Sequence, residues 1–154
     1  MESDATPQQA LAQAERATAA VWYDYPPTPW WYCPGAGAWH AAFPLAIGGL
    51  RDAPALLLVA LAALMAVAAG FTTWYTRYRG AMPRVGGAIP AEFRPAVVAF
   101  GGGYLTLLVG VAIVFVTAGY GAAAIVALVG VTAGFAVYER AYAAAAAATR
   151  ARVG

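Results

Sequence analysis

Cys33 and His40, the only cysteine and the only histidine of the chain, stand seven positions apart in YPPTPWWYCPGAGAWH, residues 25–40. Their side chains are the commonest ligands of zinc and related metals, so the pair raises a metal centre as the first chemistry to consider. On a helix that spacing places both on one face but about 10 Å apart along the axis. A metal centre also takes three or four ligands, and no second cysteine or histidine exists to complete one. The run Gly101-Gly102-Gly103-Tyr104 suggests a phosphate-binding loop, yet such a loop works through a lysine and the chain has none. Ser3 is the sole serine and sits in the amino-terminal tail. The carboxylates Glu2, Asp4, Glu15, Asp24, Asp52, Glu92 and Glu139 lie outside or at the edges of the apolar segments. No catalytic constellation, cofactor motif or metal set is therefore predicted. His40 stays a candidate because it is the titratable group expected within a membrane span, where such residues are functional candidates by default.

The elements that would position His40 follow from composition. Of 154 residues, 62% are hydrophobic and only 10% are charged. A soluble domain carries roughly 25% charged residues to cover its surface, so most of this exterior must face lipid. All nine cationic side chains are arginines, asparagine is absent and about a quarter of the chain is alanine. The amino terminus, MESDATPQQALAQAER, is acidic and glutamine-rich, unlike a signal peptide with its basic start and early apolar run. Insertion is expected from internal segments.

Thr6 and Pro7 mark the start of a helix to about Tyr23, expected to rest on the membrane surface or on a partner. The prolines at 26, 27 and 29 end it. Four apolar segments follow: about Trp31 to Leu50, Pro54 to Trp74, Pro95 to Ala118, and Gly121 to Tyr138. The last three contain no charge, and about twenty residues at 1.5 Å rise cross the hydrocarbon core. The first is broken by Pro34 and Pro44, so three spans are the alternative to four. ERAYAAAAAATRARVG continues the last segment as helix into solvent. The expected organisation is residues 1–29 as surface helix and linker, 30–142 as an all-helical four-span membrane domain, and 143–154 as a helical tail.

With four spans, arginines 16, 77, 79, 84, 94, 140, 150 and 152 fall on one side, and only Arg51, beside Asp52, on the other. The positive-inside rule then predicts both termini in the cytoplasm. Trp30, Trp31, Tyr32, Trp74, Tyr75, Tyr78 and Tyr138 fall near one predicted depth, as an anchoring belt does. Arg77, Arg79, Arg84, Arg94 and Arg140 are the candidates for anionic lipid headgroups. Nucleic-acid binding has no support beyond the same charges.

Small residues supply the helix-packing candidates: Ala62, Ala66 and Gly70 on the second span, Gly103 and Gly110 on the third, and the GxxxG pair Gly130 and Gly134 on the fourth. Expected partners are the lipid bilayer and a second copy or another membrane protein. AERATAAVWYDYPPTPWWY, the alanine-rich spans and the ERAYA tail together resemble small multi-pass membrane proteins of high-GC Gram-positive bacteria. That resemblance implies a bacterial plasma membrane and no activity. The leading expectation is a non-enzymatic accessory or scaffolding subunit, and the competing one a minimal oligomeric transporter of a hydrophobic or cationic compound. A polar cavity joining His40, Tyr104 and Thr106 would favour transport. An exposed ridge at Ala62, Ala66 and Gly70, or at Gly130 and Gly134, would favour the accessory role.

Overall fold

The computed structural model describes residues 6–80 and 89–153. Among them the regular elements are all helices: α1 (Pro7–Tyr23), α2 (Tyr32–Gly49), α3 (Pro54–Arg79), α4 (Arg94–Ala118) and α5 (Tyr120–Val153). Local chemistry explains the boundaries. Thr6 and Gln9 close a reciprocal capping box around two amide groups that the first turn of α1 leaves without helical partners. Asp24 ends α1 where Tyr25-Pro26-Pro27 begins. Prolines stand in the first turn of α3 and of α4, where no amide is needed. Gly119, at φ 87°, makes the reversal between α4 and α5 in a backbone region that disfavours any other residue.

Helices α3, α4 and α5, of 26, 25 and 34 residues, are long and apolar enough to cross a membrane. These three make the chain a membrane-embedded helical protein. Helix α2, of 18 residues, has the length for about 27 Å. Its His40, two prolines and four glycines keep it below the hydropathy of the other three. Pro44, buried inside it, has no amide to offer the carbonyl of His40.

The packing is centred on α2 and α5, which lie against each other; α3 packs on α2, α4 on α5, and no interface of similar extent joins α3 to α4. Two glycines set the α2–α5 approach. A Cβ at Gly37 would lie 2.6 Å from the carbonyl oxygen of Leu128, and one at Gly48 would overlap the Tyr120 side chain. Between these points Ala41, Ala124 and Ala127 are buried. At Gly130 an added Cβ would run into Leu107, which marks the close approach of α4 to α5.

At about 51 Å, α5 is well beyond the roughly 30 Å of a hydrocarbon core. Its excess carries a second, smaller core. Phe93, fully buried before α4, packs on Trp22 of α1 and Tyr142 of α5 at ring separations of 5.2 and 4.7 Å. Ala145, Ala146 and Thr149 are buried beside them. Burying one large apolar side chain stabilises by about 1.5–3 kcal/mol, so Phe93 contributes to holding α1 against α5. The alanine-rich tail is thus helical, as its composition predicts, but α1 and Phe93 cover one side of it.

Candidate functional site

His40 lies at the middle of α2, and both ring nitrogens are engaged. Nδ1 is 2.7 Å from the carbonyl oxygen of Ala36, one turn back. A carbonyl only accepts, which puts the ring hydrogen on Nδ1. Nε2 of the neutral ring then accepts from the Tyr104 hydroxyl at 2.6 Å, tying α2 to α4. Next to it, Trp39 donates its indole N–H to the carbonyl of Leu64 at 2.9 Å, tying α2 to α3. Two adjacent residues of α2 therefore carry polar links to both flanking helices. Thr106, which a transport cavity would bring to His40 and Tyr104, faces outward and returns its hydroxyl to Gly102 on its own helix.

Cavities flank this polar centre. One of about 450 Å³ lies between α2 and α3, with Trp31, Trp39, His40, Phe71 and Phe135 on its wall. One of about 400 Å³ lies between α4 and α5, lined by Phe100, Gly103, Gly130 and Gly134 among others. A third, about 270 Å³, sits on the Tyr104 side of His40 beside Phe43 and Pro44. Among the described residues no group of three or more histidine, cysteine or carboxylate side chains is arranged to hold a metal ion. Cys33 is a free thiol two turns from His40 on α2.

A second cluster forms where the linker after α1 meets the ends of α3 and α5. Arg79 donates from Nη1 to the Tyr75 hydroxyl at 3.1 Å and from Nη2 to the Tyr142 hydroxyl at 2.9 Å. Its guanidinium carbon lies 4.4 Å from the ring centre of Tyr25, 5.2 Å from that of Tyr142 and 5.9 Å from that of Tyr75. Three tyrosines from three segments thus surround one cation, while its Nε is buried and unbonded. Nearby, Glu139 accepts a 2.6 Å hydrogen bond from Thr28. Burial is the main cause of a raised Tyr25 hydroxyl pKa, and Tyr142 and Glu139 push it the same way.

The other predicted positions distribute as follows. Ala62, Ala66 and Gly70 are exposed on α3, and a Cβ at Gly70 would meet nothing. Gly103, Gly110 and Gly134 also have open space beyond them, whereas Gly130 is closed by Leu107. Trp31, Tyr32, Phe71, Trp74, Tyr75 and Tyr78 form a continuous ring ladder across α2 and α3. Tyr78 also donates to the carbonyl of Pro27 at 2.8 Å, and Tyr138 packs on Phe100 at 4.4 Å. Trp30 is 87% exposed. Arg77 and Arg140 are exposed, Arg94 returns its Nε to the Ile89 carbonyl, and Arg84 lies outside the described residues.

Glu92 pairs with Arg152 at 2.6 Å rather than with Arg94, because the end of α5 returns beside the start of α4. Glu139 cannot reach across to Arg140: adjacent helical residues point about 100° apart. A hydrogen bond to its own backbone, then Arg152, holds the Glu92 carboxyl below the usual range. Tyr75, one turn before Arg79 on α3, is a neighbour legible in the sequence, but Tyr25 and Tyr142 come from distant segments and were not.

The chain matches no protein-family model, no curated protein and no solved structure.

Proposed function

We propose that this protein is a small four-span integral membrane protein of the bacterial plasma membrane, both ends cytoplasmic, and a non-enzymatic accessory or scaffolding subunit. Its outward α3 face would pack against a transmembrane helix of another protein or of a second copy. The arginine distribution supports the orientation: Arg77, Arg79, Arg94, Arg150 and Arg152 gather at one end of the helices, Arg51 at the other. The observation that carries the functional reading is a contrast among glycines. A glycine inside a helix costs about 1 kcal/mol relative to alanine, and close helix approach is what offsets that cost. Gly37, Gly48 and Gly130 have such an approach within the chain, while Gly70 on α3 has empty space beyond it and two exposed alanines below. The outward placement of Thr106 works against the transporter reading.

Native mass spectrometry of the tagged protein, extracted gently from its own membranes, tests the proposal. A stoichiometric companion or second copy is expected, lost on Ala66→Leu with Gly70→Leu while the melting temperature is kept. A wild-type protomer with no companion, or a companion indifferent to the double substitution, refutes it. Topology is tested separately by labelling new cysteines at 10 and 52 from outside intact cells. Label at 52 alone is expected, and label at 10, with or without label at 52, defeats the four-span arrangement.

A further inference from the structure

The cavity between α2 and α3 goes beyond a packing role, and we propose that it is a binding site for a single hydrocarbon chain, acyl or prenyl, entering sideways from the lipid phase. The inference rests on the reading that α2 lies in the bilayer beside α3, which labelling at position 10 tests independently.

Three features define the occupant. The first is size: about 450 Å³ falls within the roughly 300–1,000 Å³ of small-molecule sites. The second is shape. The wall runs along α2 from Trp31 to His40, nine residues or about 13 Å of helix, between the aromatic boundary and the middle of the span. Helix α3 forms the opposite side through Val67, Ala68, Phe71 and Thr72, and Phe135 of α5 forms part of the wall. The third is polarity. The indole N–H of Trp39, both nitrogens of His40 and the hydroxyl of Thr72 are already bonded within the chain. Water in a cavity needs two to four polar partners, and the other polar side-chain groups on the wall, the Tyr32 hydroxyl and the Trp31 indole N–H, both stand at the boundary end. What remains toward the middle of the span is an aromatic slot about one leaflet deep, suited to methylene or prenyl units.

Gly35 provides the test. A Cβ there would meet only the Trp31 ring, at an ordinary 3.6 Å, so Gly35→Leu puts a side chain into the slot without a clash and improves helix propensity. The probe is a long-chain fatty acid bearing a diazirine, photolysed on the full-length protein in mild detergent, with adducts mapped by peptide mass spectrometry. Adducts are expected on the slot residues, centred on Gly35, Val67 and Phe71. Gly35→Leu should reduce them about tenfold, corresponding to about 1.4 kcal/mol of lost binding. Gly101→Leu, on α4 in open space, should leave them unchanged. Ala68→Leu fills the slot from α3 and replaces Gly35→Leu if that variant does not fold. Adducts spread evenly over the exposed α3 residues Leu58 and Met65, or unaffected by either filling substitution, overturn the proposal. Native mass spectrometry then separates the sources: a retained phospholipid identifies an acyl tail, and a retained polyprenyl lipid identifies a prenyl chain.

Discussion

Replacing Arg79 tests the joint that holds the linker after α1 to α3 and α5 at the arginine-rich end. Arg79→Met keeps the length and the apolar stem but removes the fork. Two hydrogen bonds from a charged donor are lost, at 3.1 and 2.9 Å, each worth about 1.5–3 kcal/mol. The closest ring contact, 4.4 Å over Tyr25, adds about 0.5–2 kcal/mol. Against this stands the relief of the buried, unbonded Nε, about 1–3 kcal/mol, together with re-pairing of the two freed hydroxyls. The net loss expected for Arg79→Met is about 2–4 kcal/mol, at the upper end of single substitutions. Arg79→Lys should recover less than half of it, because one ammonium cannot span two hydroxyls and lie flat on a ring. The assay is reversible unfolding in mixed detergent micelles, combined with a double-mutant cycle against Tyr142→Phe. A coupling of about 1 kcal/mol or more is expected between residues that share a hydrogen bond. Arg79→Met within about 0.5 kcal/mol of wild type, or zero coupling, would refute the cage and return Arg79 to the lipid surface.

Three further outcomes are expected. Gly37→Ala should force α2 from α5 and destabilise by about 1–3 kcal/mol, whereas Gly110→Ala, with nothing opposite it, should be neutral or stabilising in the same unfolding assay. Tyr104→Phe should cost about 1–2 kcal/mol by stranding His40 Nε2, and Thr106→Val less than about 0.5 kcal/mol; equal effects would contradict the α2–α4 link. The Glu92–Arg152 pair predicts a pH dependence. Because the carboxyl pKa is lowered in the fold, its contribution is present above the unfolded value of about 4.3. It is lost as pH falls through the lower, folded value. The gap in melting temperature between wild type and Glu92→Gln should therefore be open near neutrality and close in acid, and a gap independent of pH would show that the pair does not form.

Local chemistry made the helices legible in the sequence. The helix start at Thr6-Pro7, the prolines in the first turns of α3 and α4, and the uncharged runs of α3 to α5 each act within a few residues, so their effect can be read without knowing the fold. The core at the arginine-rich end was not legible for the opposite reason. Phe93 sits in a short stretch between two prolines, and nothing nearby shows that Trp22 and Tyr142 will close over it. The same holds for Glu92, whose nearest arginine in sequence is not the one the fold brings to it. His40 stood out because a histidine within an apolar run is conspicuous, but its partner Tyr104 becomes distinguishable from the other tyrosines only once α2 and α4 are side by side.

The small residues carry this argument one step further. In sequence, Gly37, Gly70, Gly110 and Gly130 are equivalent: each is a glycine within a helix that avoids a side chain. The fold divides them. Gly37 and Gly130 are each closed by a neighbouring helix of the same chain, whereas Gly70 and Gly110 open outward. Both classes carry the same conformational cost, about 1 kcal/mol each, so the outward class is unbalanced in the isolated chain. Lipid tails do not restore the balance, since hydrocarbon contacts an alanine or leucine surface as well as a glycine one. A second helix does, because only a backbone brought close can use the missing Cβ. Gly70→Leu should therefore leave the folded protomer intact and remove only its association, whereas Gly37→Leu should damage the protomer itself. If the two variants lose stability equally, the division between inward and outward glycines fails, and the accessory role loses its structural basis.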